Sequence, residues 1–191
     1  IRWPRRVKPG SNSSALVCGT DLGSTILAAC GMKQLKEMTG VSFLRQLLGG
    51  QAEGRQYVFS ERGWHWGPIT RTDGLDLSRS ITTKRYRYIY NALPNRSYTP
   101  VDMSGKDAWK AIQSAHAAGR LSPLHERLFF QNPRPIGELY DLRNDPLELN
   151  NLAGKKSVAE IERTLLEQLE SWMIREHDYL PLPTHALQNT K

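Results

Sequence analysis

The chain has 191 residues, of which 39% are hydrophobic and 24% charged, enough for one sizeable core or one and a half small ones. It holds no run of about 18 apolar residues, which excludes a membrane-spanning helix, and its two cysteines are too few for a disulfide framework. A net charge of +7 implies affinity for polyanions but does not choose between nucleic acid, sulfated glycan and anionic lipid.

The start, Ile1-Arg2-Trp3-Pro4, has no initiator Met, no basic-then-apolar leader pattern and no small-residue cleavage site, so it reads as the middle of a longer chain. A short strand end is expected there, followed by a turn at Pro9-Gly10. Asp21 can cap a helix containing Leu22, Ile26 and Leu27 that runs to Cys30, with Gly31 at the position where helices commonly end in left-handed geometry. Cys18 and Cys30 then lie at opposite ends of about three turns, on the order of 15 Å apart, too far to bridge. Both are expected to be small core residues. Ser42 to Leu48 is a short amphipathic turn closed by Gly49-Gly50, and the polar stretch Gln51 to Arg55 is the best boundary in the chain, dividing it into segments 1–50 and 51–191.

Beyond that boundary the period shortens to two. Gln56 to Ser60 is a strand by its β-branched and aromatic content, and Arg79 to Asn91 reads as two strand segments or one long one, with Tyr86, Tyr88 and Tyr90 on one face. Lys106 to Ala118 and Ser122 to Phe130 look helical. Glu138 to Leu142 alternates polar and apolar residues as a half-buried strand does, and Asn144-Asp145-Pro146 stops it. Ser157 stands three residues before Glu160, the spacing of a capping box. From there Val158, Ile161, Leu165, Leu169, Trp172 and Met173 recur at steps of three and four, giving an apolar face that must lie on the sheet, with Trp172 buried against it. The architecture expected is an antiparallel sheet of about four strands covered by a long C-terminal helix.

The stretch with chemical character is Glu61 to Arg79. It joins two strands, is longer than a typical hairpin loop, and loops of that length in compact domains are usually functional or disordered. Its composition is not that of a disordered segment. Trp64, His65 and Trp66 offer flat apolar faces beside a titratable imidazole, and Arg62, Arg71 and Arg79 supply planar forks suited to sulfate or carboxylate. His65, Arg71, Arg79 and Trp64 are therefore the candidate substrate-binding residues. His65 has a second reading as a structural hydrogen-bonding residue, and the tryptophans a second reading as packing. His177 and Asp178 end the last helix, where a partly charged imidazole is favoured by the helix dipole. His116, His125 and His185 carry no assigned role, since their spacing suggests no convergent metal geometry.

The run Glu-Leu-Tyr-Asp-Leu-x-x-Asp-Pro-x-Glu-x-x-Asn-Leu-Ala, carried by Glu138 to Ala153, resembles the C-terminal signature of the sulfatase family. Arg2 to Gly31 resembles the sulfatase stretch in which Arg-Trp-Pro-Gly and a later Pro-Gly precede Asp-Leu-x-Pro-Thr-Ile-Leu. Arg5 stands where that pattern has its first glycine, and Gly23-Ser24 where it has a proline-containing pair. More narrowly, Arg79 to Arg87 and Trp172 through His177-Asp178 resemble the heparan N-sulfatase (sulfamidase) branch. The resemblance implies an α/β, alkaline-phosphatase-like sulfatase fold. Residues 1–50 would be the end of its catalytic α/β domain and residues 51–191 the C-terminal α+β subdomain. It further implies hydrolysis of a sulfate ester or sulfamate on a sulfated (amino)sugar, probably of heparan type in the sense of that branch, by a parent protein that is periplasmic, secreted or lysosomal.

Family sulfatases use a formylglycine made from Cys or Ser in a Cys/Ser-x-Pro/Ser-x-Arg motif, and bind one divalent cation, usually calcium. Cys18 is followed by Gly19-Thr20-Asp21 and Cys30 by Gly31-Met32-Lys33, so neither fits the motif, and no Asp-Asn or paired Asp cluster of the metal-binding kind occurs. The expectation is that this segment shapes a substrate pocket for a sulfated carbohydrate, contributes no catalytic residue and no metal ligand, and partners the missing N-terminal catalytic domain. Nucleic-acid and membrane partners are not expected. An alternative from another class is a non-catalytic basic module binding polyanionic glycan or nucleic acid, with bases stacked on the interleaved Tyr and Arg of Lys84 to Tyr90.

Overall fold

The computed structural model of the chain describes residues 1–50, 54–63, 75–98, 100–103 and 105–180. Four antiparallel strands in the order β1 (Val58–Arg62), β2 (Ser78–Thr82), β3 (Tyr86–Asn91) and β4 (Gly137–Asp141) form one sheet in sequence order. The Arg79 to Asn91 run is two strands, because Thr83 closes a tight hairpin: its Oγ1 accepts from the N–H groups of Arg85 and Tyr86. Register places Phe59, Ile81, Tyr88 and Leu139 across from one another on one face.

That face is covered by α5 (Ala159–Arg175), whose Leu165, Leu166, Leu169 and Met173 are buried against it. The helical period in the sequence required such a partner, and the alternation in the strands supplied it. Tyr88 and Tyr90 are part of this core. Of the stripe offered as a base-stacking platform, Tyr88 and Tyr90 are thus internal and Tyr86 is half-buried. Trp172 differs from its expectation. It is half-buried and stacks on Phe59 at the sheet edge, ring centroids 5.0 Å apart, because β1 is the outermost strand and leaves one side of the indole open.

The entry to α5 also differs. A 3₁₀ turn (Lys156–Val158) leads into the helix, and no side chain caps it. Glu160 pairs instead with Arg163, one turn on, so the carboxylate needed for a capping box is engaged elsewhere. The exit is better defined. The N–H of His177 reaches the carbonyl of Ile174 and that of Asp178 reaches Met173, with His177 in the left-handed region at φ 54°, the two bonds of a Schellman ending.

Helices α3 (Asp107–Ala117) and α4 (Pro123–Phe130) form a hairpin inserted between β3 and β4, and Ser122 caps α4 as its position before Pro123 suggests. Trp109 is buried between Phe129 and Phe130, at 5.7 and 5.8 Å. His116 stacks on Phe130 and bonds Glu126, which gives it a structural place.

In the first 50 residues the expected strand end is a turn at residues 4–6, followed by α1 (Asp21–Ala29) and α2 (Leu44–Leu47). Asp21 does not cap α1. Its carboxylate lies inside, accepting from the backbone N–H groups of Cys18 and Val41 and from the Arg55 guanidinium at 2.5–3.0 Å. Helix α1 buries its polar Asp21, Ser24 and Thr25 and exposes Leu22 (49%) and Ile26 (61%), the inverse of an ordinary surface helix. The cysteines are free, Cys18 half-buried and Cys30 exposed at the helix end, so neither is the core residue expected from the sequence.

Candidate functional site

The chain leaves β1 after Arg62 and re-enters β2 at Ser78, and the pairing of Glu61 with Arg79 and Arg62 with Ser78 brings both ends of the intervening segment to one end of the sheet. Trp64, His65 and Arg71 lie outside the described residues. What is described is the frame from which that segment springs.

Two charged clusters build this frame. In the first, Arg79 points from β2 toward the end of α5. Its Nε donates to Asp178 Oδ2 at 2.5 Å and its Nη2 to Asp178 Oδ1 at 3.0 Å, a fork-to-fork pair, while Nη1 donates to the carbonyls of Arg62 and Ser78. Glu61 lies 3.8 Å away, and the Tyr179 ring faces the guanidinium at 5.6 Å. The side chains of Arg79 and Asp178 are 1% and 5% exposed. The hydrogen bonds from Arg79 hold the Asp178 carboxyl below the usual range against the opposing effect of burial. Arg79 was a candidate for contacting a substrate anion directly. The structure instead commits its donors to Asp178 and to the adjoining ends of β1 and β2.

In the second cluster, Asp76 receives both Arg134 at 2.6 Å and Arg62 at 3.3 Å, and Arg62 also lies over the Tyr98 ring at 5.1 Å. Arg134 comes from the segment after α4, and Tyr98 from the loop after β3. Three parts of the chain therefore meet at the mouth of the β1–β2 connection, with two guanidinium groups around one carboxylate.

The sequence reading missed Asp178, Asp76 and Arg134. The partners are 99 and 58 residues apart in the chain, so spacing carries no trace of them. The one available signal was the His-Asp pair after Trp172, read as a helix end. The frame fixes the two strand ends between which residues 63–77 run. Among the described residues no three His, Cys, Asp or Glu side chains are grouped to hold a metal ion. A calcium ion takes six to eight oxygen ligands, and no such group stands among the described residues.

Compared with known proteins, residues 1–120 match a family model described as N-sulphoglucosamine sulphohydrolase, C-terminal. The chain is 32% identical over 179 residues to an ulvan-active sulfatase of Formosa agariphila, covering 94% of this chain and 33% of that protein. It is 22% identical over 170 residues to an N-acetylglucosamine-6-O-sulfatase of Bacteroides thetaiotaomicron, covering 89% of this chain and 23% of that protein. The fold matches a solved protein in complex with its substrate D-glucosamine-2-N,6-O-disulfate, with a TM-score of 0.61 at 20% identity over 96% of this chain and 29% of that one. The chain thus spans a third or less of the length of these relatives.

Proposed function

The chain belongs to the family of N-sulphoglucosamine sulphohydrolase C-terminal regions, a part of the sulfatases, and we propose that it is the C-terminal portion of a hydrolase that removes sulfate from sulfated sugars. The observation that carries this reading is the family match over residues 1–120, which spans the α1 region and strands β1 to β3, Arg79 included. The finer reading is a heparan-type aminosugar substrate, with an N- or O-sulfate as the leaving group. It is supported by the family's description and by the guanidinium-rich mouth of the β1–β2 connection.

In this reading residues 1–50 end the catalytic α/β domain and residues 51–191 form the subdomain that closes the substrate pocket. The inverted polarity of α1 supports the first part, since exposed Leu22, Ile26, Met32 and Leu35 are a surface that water alone disfavours and that the preceding domain would cover. The second part rests on the frame: the Arg79–Asp178 pair anchors both strand ends, so the segment with Trp64, His65 and Arg71 starts from fixed points. Its side chains would bind and orient the sugar. The bond-breaking groups belong to the preceding domain.

The test uses the full-length parent protein and sulfate release from N-sulfoglucosamine and from 6-O-sulfated N-acetylglucosamine. His65→Ala should lower kcat/KM by about tenfold or more with an unchanged melting temperature, as loss of one hydrogen bond to a charged group would. Release of sulfate from neither sugar would overturn the finer reading, and absence of release from any sulfated saccharide the proposal itself. Normal kinetics in the variant would remove His65 from the pocket.

A further inference from the structure

The two edges of the sheet differ in how their main-chain groups are satisfied. In the β2–β3 hairpin the N–H of Thr83 donates to the carbonyl of Tyr86 at 2.8 Å, and the N–H of Ala92 to the carbonyl of Leu77 at 2.9 Å. Successive residues of an antiparallel strand bond its two neighbours in alternation, so Leu77, Arg79, Ile81 and Thr83 bond toward β3 and Ser78, Ser80 and Thr82 toward β1. Their register partners Arg62, Ser60 and Val58 therefore bond inward. Phe59 and Glu61 are left pointing their N–H and C=O groups away from the sheet.

The same alternation turns Gly137, Leu139 and Asp141 of β4 outward, and there the chain supplies partners. The N–H of Leu139 donates to Asn151 Oδ1 at 2.9 Å, the N–H of Leu152 donates to the Leu139 carbonyl at 2.8 Å, and the Asn151 amide donates to the Gly137 carbonyl at 3.2 Å. The N–H groups of Asn144 and Asp145 close on the Asp141 carbonyl. On β1, among the described residues, nothing bonds the main-chain groups of Phe59 or Glu61. Proline, lysine and a bulge, three usual protections of a bare edge, are all absent from Val58–Arg62, whose register with β2 is unbroken.

A cleft of about 560 Å³ lies along this edge. Val58 and Phe59 take opposite faces of the strand, yet both line the cleft and no β2 residue does, so it meets β1 at the edge and not over either face. Cys18, Thr20 and Thr39 form the opposite wall, and the half-buried indole of Trp172, stacked on Phe59, completes the lining beside β1.

We propose that this cleft takes an extended segment of the same polypeptide, from outside residues 1–191, which pairs with β1 as a fifth strand. Its main-chain groups bond those of Phe59 and Glu61, and one apolar side chain covers the open side of the Trp172–Phe59 stack. An added strand sits about 4.8 Å beyond the one it pairs with. The cleft is walled on both sides, which suits a single strand and excludes the edge of a second copy, since that copy would bring its own helix and α1 region with it. So short an edge offers few bonds to a free peptide, whereas a tethered segment is held at high effective concentration. The identity of the occupant rests on the reading of this chain as the C-terminal portion of a longer hydrolase, in line with its covering 33% of an ulvan-active sulfatase. The unpaired edge and the cleft do not depend on that reading.

The experiment is hydrogen–deuterium exchange on the full-length parent protein, read at single residues by fragmentation mass spectrometry. The amides of Phe59 and Glu61 should exchange within about tenfold of the rate at Ser60, which is bonded to β2. Faster exchange at either means a bare edge and overturns the proposal. Photo-cross-linking identifies the occupant. Arg175→p-benzoylphenylalanine puts the probe at the cleft margin, where the ion pair lost is an exposed one with the adjacent Glu176. The expected adduct has the mass of one protein and joins position 175 to a peptide outside residues 1–191. An adduct within residues 1–191, an adduct between two copies, or none at all refutes the assignment. Sulfate release by the same preparation separates the two readings: a protein that releases sulfate but has a bare β1 edge loses only the fifth strand, and one with the adduct but no release from any sulfated saccharide loses only the hydrolase.

Discussion

Removing Asp178 should be among the costliest single changes in the chain. Asp178 stands just beyond α5 and Arg79 in the middle of a sheet, and the two side chains are 5% and 1% exposed, so the guanidinium has no route to water. In Asp178→Ala the Nε and Nη2 donors lose their acceptor while the charge stays buried, a situation that costs about 3–5 kcal/mol. For a chain of this length about 2–4 °C of melting temperature goes with each kcal/mol, so the 191-residue chain should melt about 6–20 °C lower. The double variant Arg79→Met, Asp178→Leu should recover most of that loss, because two apolar groups in the same space need no partner. The same pair sets a pH dependence. The folded-state pKa of Asp178 is depressed by the hydrogen bonds from Arg79, so its contribution is full above the unfolded carboxylate value near about 4 and disappears as the pH falls below it. Asp21, held low against burial by Arg55 and two backbone N–H groups, and Asp141, lowered to about 2 chiefly by Arg85, act in the same direction. Asp178→Asn should therefore flatten the acid limb of the stability profile measured by urea titration between about pH 5 and pH 2. A melting temperature of Asp178→Ala within a degree or two of the parent sequence would show that the pair is not the anchor described here.

Two further outcomes follow from the fold. Arg5 occupies the left-handed region at φ 67°, which costs a non-glycine residue about 1–2 kcal/mol, while glycine adds about 0.5–1 kcal/mol of chain entropy. Arg5→Gly should thus stabilise the chain by about 0.5–1 kcal/mol in denaturant titration, and a destabilised variant would contradict the strain. Leu169, 0% exposed under the sheet, should cost about 2–5 kcal/mol as Leu169→Ala, and the half-buried Trp172 only about 2 kcal/mol as Trp172→Ala. Reversal of that order in thermal melts would mean that α5 is rotated about its axis relative to the packing described.

The parts legible in the sequence are those governed by neighbours along the chain. Alternation in Glu138 to Leu142 and at Tyr86 to Tyr90 placed β4 and β3 to within a residue or two, because a strand's two faces differ whatever it pairs with. Gly31 at φ 71° ends α1 where a helix needs a left-handed residue. Arg5 was visible as the residue in place of a glycine in the resembling pattern, although only the backbone shows that the left-handed geometry persists there without one.

The tertiary structure decided everything that depends on which distant groups meet. Asp21 has a helix-capping residue's chemistry and position, yet Arg55, 34 residues on, draws its carboxylate inward. Ser157 and Glu160 have the spacing of a capping box, but Arg163 one turn away competes for the carboxylate and wins. Arg79 looks from its strand like an anion-binding fork. Its role as the anchor of both strand ends depends on a Schellman turn at the other end of the chain that delivers Asp178 to it. Hydrophobic period is a property of the segment itself and can be read residue by residue, whereas an ion pair across 99 residues exists only once the sheet and α5 have packed. For this protein the sequence by itself therefore determined the strands, the covering helix and the family, and the tertiary packing determined which charges pair with one another.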